Sequence, residues 1–204
     1  MTTLRKQQIA KWKERDVSWS QLNSWLFSKD QWAFKYIFGK YEEPNQAMLF
    51  GNTVGDTLGT PTSMVPSLNP FLVGIKEYEL RVPMNGHNLV GFCDHYCPTD
   101  LVLNENKTSQ TLDRWTQKDV DLHGQLTMYS LMLLLKEKVN PEDLTIWLNF
   151  IPVYLDGFFP YVKDDYKRFP TVRTTKQCLM FGAWITTTLK EMELYAATAV
   201  DVSA

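Results

Sequence analysis

Residues 75–109 read IKEYELRVPMNGHNLVGFCDHYCPTDLVLNENKTS. The apolar residues follow a strand-like pattern broken at two points. Asn85-Gly86 tolerates positive φ at both positions and predicts a tight hairpin. Pro98-Thr99-Asp100 turns the chain a second time. The stretch therefore predicts three consecutive strands, 75–84, 88–96 and 101–107, forming a β-meander.

Working outward, 117–138 reads as one long helix with Leu122, Leu126, Tyr129 and Leu133 on its apolar face. Pro141 then interrupts the chain. The nearly continuous apolar run 144–153 suits a buried central strand reached by a crossover. A mixed segment, 156–173, can hold another strand or hairpin, and a last helix spans 174–195. The tail AATAVDVSA reads as frayed. Toward the N-terminus, Ser18 or Ser20 can cap a helix carrying Leu22, Trp25 and Leu26. A second helix spans 30–38 with Gly39 as its stop, and a third spans 45–58. Residues 59–70, rich in Pro, Ser and Thr, read as a loop. The order helices, three strands, helix, strand, helix predicts an α/β domain with a mixed sheet flanked by helices.

The bulk properties narrow the field. A chain of 204 residues suits one domain with a single sizeable core. Its parts would be N-terminal helices (1–60), a core (74–153) and a C-terminal helix (174–195). Formal net charge is −2, so contact with nucleic acid would need a local basic face or a bound cation. Two basic clusters, Lys11, Lys13 and Arg15, and Lys163, Lys167, Arg168 and Arg173, could contact phosphates or could simply be solvated. Three cysteines, Cys93, Cys97 and Cys178, are too few for a four-ligand zinc or iron–sulfur site and suit reduced thiols. The polar N-terminus lacks a signal-peptide pattern, and no run is long enough to span a bilayer. A cytoplasmic protein without membrane contact is expected.

The chemistry concentrates at the meander. Period-two alternation places Val90, Phe92 and Asp94 on one face of the second strand, and Leu101, Leu103, Glu105 and Lys107 on one face of the third. Adjacent strands can bring Asp94 beside Glu105. Two close carboxylates repel unless a cation lies between them. Oxygen ligands suit Mg²⁺ or Mn²⁺. A metal there could lower the pKa of a bound water and polarise a phosphate oxygen, while Lys107 could stabilise developing charge. A polar strand end with an ordinary ion pair is the plainer reading of the same residues. Gln125 and Tyr129, four apart, share one helix face. His87, His95 and His123 read first as packing or surface groups.

The set resembles the RecB-like, phage-exonuclease-like branch of the PD-(D/E)XK nuclease superfamily. VSWSQLNSWLFSKDQWAFKYIFGK resembles the family's opening helices. LVGFCDHY resembles its G-x-x-D strand, LVLNENKTS its D/E-x-K strand and HGQLTMYSLML its Q-x-x-x-Y helix. These matches fall in the family's order across residues 17–153, with ten residues between Asp94 and Glu105. The resemblance implies a restriction-endonuclease-like α-βββ-α-β core and metal-dependent hydrolysis of phosphodiesters, usually in DNA. It implies metal held by Asp94, Glu105 and the carbonyl of Asn106, an attacking water assisted by Lys107, and a site supported by Gln125 and Tyr129.

Two departures from the pattern carry expectations of their own. Gly55 stands where the family usually has a metal-binding histidine. The next residue, Asp56, could supply an oxygen ligand instead, or be a solvated carboxylate on a site with fewer ligands. Ser28 stands where related nucleases carry the first cysteine of a cluster, so no iron–sulfur cluster is expected. The expected activity is an exonuclease in replication, recombination or repair, with any helicase or recombination protein a separate chain. The alternatives are a catalytically weak or inactive nuclease-fold module that binds nucleic acid or a protein partner, and a nuclease acting on RNA or on a structured DNA branch.

Overall fold

The computed structural model describes residues 7, 10 and 12–198. Its helices are α1 (Trp19–Phe27), α2 (Lys29–Tyr36), α3 (Gln46–Thr57), α4 (Gln117–Asp121), α5 (Gly124–Glu137) and α6 (Thr175–Thr198). Its strands are β1 (Ile75–Met84), β2 (His87–Cys97), β3 (Val102–Ser109), β4 (Thr145–Asp156), β5 (Phe159–Val162) and β6 (Lys167–Thr171). The sheet runs β1-β2-β3-β4-β5, with β6 also paired to β4. Among the described strands the β3–β4 pair is parallel, joined through α4 and α5, and the other strand pairs are antiparallel. This is the α/β mixed sheet flanked by helices that the sequence pattern predicts.

Each boundary has a local cause. Asn85 (φ 50°) and Gly86 (φ 80°) form the two-residue turn that pairs Met84 with His87. Gly39 (φ 72°) follows α2. The Asn45 side chain accepts from the Met48 N–H and caps α3. Lys76 Nζ binds the carbonyls of Gly55, Asp56 and Leu58, clamping the C-terminal end of α3 onto β1. The main core lies between the sheet and α1, α2, α5 and α6. A smaller cluster built on Val54, Leu58, Val65, Leu68, Leu72 and Ile151 seats α3 and the following loop.

Four sequence expectations need correction. The 59–70 segment is not all loop, because Pro66–Phe71 forms a 3-10 helix that buries Leu68. The long helix is two helices. Leu122 and His123 leave the helical path, and Leu122 is 73% exposed rather than on the apolar face. Buried Arg173 spans the break: its guanidinium donates to the carbonyls of Val120 and His123, each of which also accepts a backbone N–H, and to Thr127 Oγ1. Arg173 is thus a structural donor and not part of a phosphate-facing cluster. The other members are dispersed as well. Lys163 lies over Tyr154, and Arg168 lies between Phe71 and Trp147 while bonded to Asn104 and Asn149. Finally, 196–198 of the expected frayed tail are helical, and its remainder lies outside the described residues.

In the N-terminal basic cluster, Lys13 pairs with Glu193 at 2.7 Å and Arg15 donates to the Tyr41 hydroxyl, while Lys11 lies outside the described residues. Among the described residues no helix is long and apolar enough to cross a membrane.

Candidate active site

The hairpin turn fixes which side chains meet. Pairing runs outward from Met84–His87 through Tyr78–Cys93 and resumes at Lys76–His95, which sets Glu77 level with Asp94. The strands are irregular at that point. Glu77 has φ 52°, a left-handed value inside a strand, and the Glu77–Asp94 level makes no regular pair. Strict alternation also fails there. Leu89, Cys93 and Tyr96 all enter the main core, a three-residue step from Cys93 to Tyr96. The period-two argument that grouped Asp94 with Val90 and Phe92 therefore does not describe the site end of β2.

Between β2 and β3 the backbone ladder covers His95–Asn104 to Cys97–Val102 and stops one residue short of an Asp94–Glu105 pair. Beyond it the Asp94 carboxylate takes over, accepting from the Asn106 N–H at 2.5 Å. On its other side, Asn106 accepts through its side-chain oxygen from Asn149 at 2.9 Å, inside a polar knot with Asn104 and Arg168 that ties β3, β4 and β6 together.

Glu105 is 2% exposed. Its Oε1 accepts from Lys107 Nζ at 2.5 Å, while its Oε2 is buried without a hydrogen-bond partner. Lys107 also donates to Gln125 Oε1 at 3.0 Å. Gln125 Nε2 donates to the Tyr129 hydroxyl at 2.7 Å, which in turn donates to the Phe92 carbonyl at 2.7 Å. A continuous chain of polar contacts therefore runs from Glu105 across α5 and back to β2, two residues before Asp94.

Burial dominates the electrostatics. It pushes Asp94 well above the usual carboxylate range, and the charge of Glu105 pushes it further. Burial also raises Glu105, against the opposing pull of Lys107. Lys107 ends above its ordinary value because the Glu105 charge and hydrogen bond outweigh burial. Glu77 adds repulsion to both carboxylates.

Two clefts meet at Lys107. One, of about 770 Å³, lies between α3 and the sheet, and its lining includes Asp56, Glu77, Asp94, Asn106 and Lys107. The other, of about 860 Å³, lies among α1, the 114–125 segment and α6. Helix α3 sits close because Gly51 faces Thr108, where a Cβ would come within 2.7 Å of Oγ1.

The structure thus brings together Asp94, Glu105, Asn106, Lys107, Gln125 and Tyr129. Asp56 borders the same cleft but is exposed, and its backbone carbonyl is bound by Lys76. Among the described residues no three Asp, Glu, His or Cys side chains converge closely enough to form a ready metal cluster. Glu77 was missed by the sequence reading, although the two-residue turn permits it to be found: seven steps back from Met84 and seven on from His87 reach Glu77 and Asp94. His95 is buried near Gly59, and His123 lies between Trp19 and Trp115 in the larger cleft.

No protein-family profile matches the sequence, and no curated protein compared with it is significantly similar. Solved structures do match. A protein assigned as an exonuclease, from Eubacterium rectale, superposes with a TM-score of 0.60 at 12% identity, covering 98% of this chain and 88% of that one. The alkaline exonuclease LHK-Exo of Laribacter hongkongensis, in a structure with dAMP, matches with a TM-score of 0.53 at 14% identity and 92% coverage of both chains. A phage-related exonuclease from Haemophilus somnus gives 0.53 at 11% identity, covering 93% of this chain and 91% of that one. At these identities the likeness shows the fold alone: the chain has the α/β architecture of these exonuclease structures.

Proposed function

We propose that this chain is a Mg²⁺- or Mn²⁺-dependent DNA nuclease, acting as an exonuclease in replication, recombination or repair. One observation carries the reading. The carboxylate of Glu105 is buried with one oxygen on Lys107 and the other without a partner, on the strand next to Asp94, whose carboxyl is pushed up by burial and then by the Glu105 charge. A buried, unpartnered carboxylate oxygen is costly, and a divalent cation relieves both that cost and the repulsion.

The donor set fits such an ion. Asp94 and Glu105 would hold it, with the Asn106 carbonyl and Asp56 as further oxygen donors. The Asn106 N–H points to Asp94, and in an extended strand a residue's N–H and C=O face the same neighbour. When bound, the metal would polarise a phosphate oxygen and lower the pKa of water.

The protein's own residues supply the rest. Protonated Lys107 donates to the attacking water or to a phosphate oxygen and stabilises charge that grows during displacement. Gln125 fixes the ammonium through its Oε1, and Tyr129 fixes Gln125 through the Phe92 carbonyl. The dAMP bound by LHK-Exo supports a nucleic-acid ligand for this fold. DNA is the proposed partner, and a helicase or recombination protein would be a separate chain. The protein would act in the intracellular space where DNA is processed.

Digestion of linear DNA with Mg²⁺ or Mn²⁺ tests the reading. Activity is expected to disappear with chelator and in Glu105→Ala and Lys107→Ala, and closed circles are expected to resist. Equal digestion by the variants and the parent refutes the assignment. DNA binding without metal-dependent cleavage would identify an inactive binding module instead.

A further inference from the structure

The larger cleft is lined by a row of rings. Trp115 and His123 lie 5.0 Å apart by centroid, His123 and Trp19 6.3 Å, Trp19 and Phe181 6.2 Å, and Phe181 and Trp184 5.0 Å. The row packs close to α5, since a Cβ on Gly124 would fall 2.0 Å from Trp19 Cη2. Trp19, Trp115 and Trp184 are only half-buried, and Phe27 on the rim is 82% exposed. Cations accompany the rings. The Arg114 guanidinium lies 5.0 Å from the Trp115 ring centroid, and Lys35 and Lys107 border the same space. The one acidic lining residue, Asp119, is engaged in the Thr116 capping box of α4.

Aromatic faces interleaved with cations in one groove match the needs of an unpaired strand, whose bases stack while its phosphates meet positive charge. Lys107 lines both this groove and the carboxylate cleft. We propose that this groove is a stacking platform for a single-stranded DNA end, centred on Trp115, His123 and Trp19 with Arg114 as its phosphate contact, and that it delivers the strand to Lys107. The proposal rests on the nuclease reading for the direction of delivery, but stacking is measured without cleavage.

The test is binding of a fluorescein-labelled oligothymidylate, about twelve nucleotides long, to the full chain in chelator. Trp115→Ala should weaken binding about 5- to 100-fold, as loss of one or more base stacks does. Trp115→Phe should retain most of the affinity. Arg114→Ala should weaken binding and flatten its salt dependence. Thermal melts of each variant verify folding. A Trp115→Ala chain that binds as tightly as the parent overturns the platform, as does equal loss in Trp115→Phe and Trp115→Ala. Glu105→Gln separates the two claims. It should bind the oligonucleotide normally while failing to cleave. If it cleaves like the parent, the nuclease reading fails whatever the binding shows. If it is inactive but Trp115→Ala binds normally, only the platform fails.

Discussion

A Cβ placed on Gly91 would lie 2.5 Å from Cε1 of Tyr129, so the strand that carries Asp94 and the helix that carries Gln125 touch where only a glycine fits. Gly91→Ala should therefore push the Tyr129 ring off β2. Overpacking of this kind costs about 1–3 kcal/mol. The melting temperature should fall by roughly 2–4 °C per kcal/mol for a chain of this size, with a parallel loss of cleavage. A melting temperature equal to the parent's would show that the contact is looser than described.

Tyr129→Phe probes the same support with no change of shape. It strands the Phe92 carbonyl and frees Gln125, the residue that steadies Lys107. The expected cost is about 1–3 kcal/mol of stability. Because Tyr129 is a positioning residue, kcat should fall while KM for DNA holds steady. A rise in KM alone would place Tyr129 in substrate binding.

Asp94 makes folding sensitive to pH when no metal is present. Burial, then Glu105, raises its folded pKa far above 3.8, so the folded state holds a proton that the unfolded chain has lost. Its contribution is favourable at low pH and declines as pH rises from the unfolded value through the folded one. Above that window the buried charge is a standing cost. In chelator at neutral pH, Asp94→Asn should thus melt higher than the parent, and the difference should shrink in acid. A variant that melts lower at neutral pH would contradict the assigned environment.

The histidines act in the opposite sense. Burial brings His95 and His123 down to about 4, with Lys76 helping in the first case and Lys107, Arg173 and Arg114 in the second. The unfolded chain takes up protons near 6.5 that the fold refuses. Stability from these residues is full above that pH and is lost as pH falls toward 4. In urea titrations between those limits, His123→Gln should lose less stability than the parent. Identical slopes would contradict the lowered pKa assigned to His123.

The strands of the meander were legible because a two-residue turn and apolar spacing leave little freedom in register. Asp94, Glu105 and Lys107 followed from it. The break before α5 was not legible, because it is bridged by Arg173, fifty residues away in sequence from His123. The twist at Glu77 and Asp94 was hidden for a similar reason: alternation describes an ideal strand, and Glu77 adopts a backbone angle that no local pattern announces. The dispersal of Arg168 and Arg173 shows why clustered basic letters need not make a basic face. Each side chain instead satisfies buried oxygens: Asn104 and Asn149 for Arg168, and the Val120 and His123 carbonyls for Arg173.

Calorimetric titration of Mn²⁺ into the parent, Glu105→Gln and Lys107→Ala bears most directly on the carboxylate pair. The parent and Lys107→Ala should both take up the ion, and Glu105→Gln should bind it much more weakly. Uptake by Glu105→Gln equal to the parent's, or none by the parent, would contradict the account.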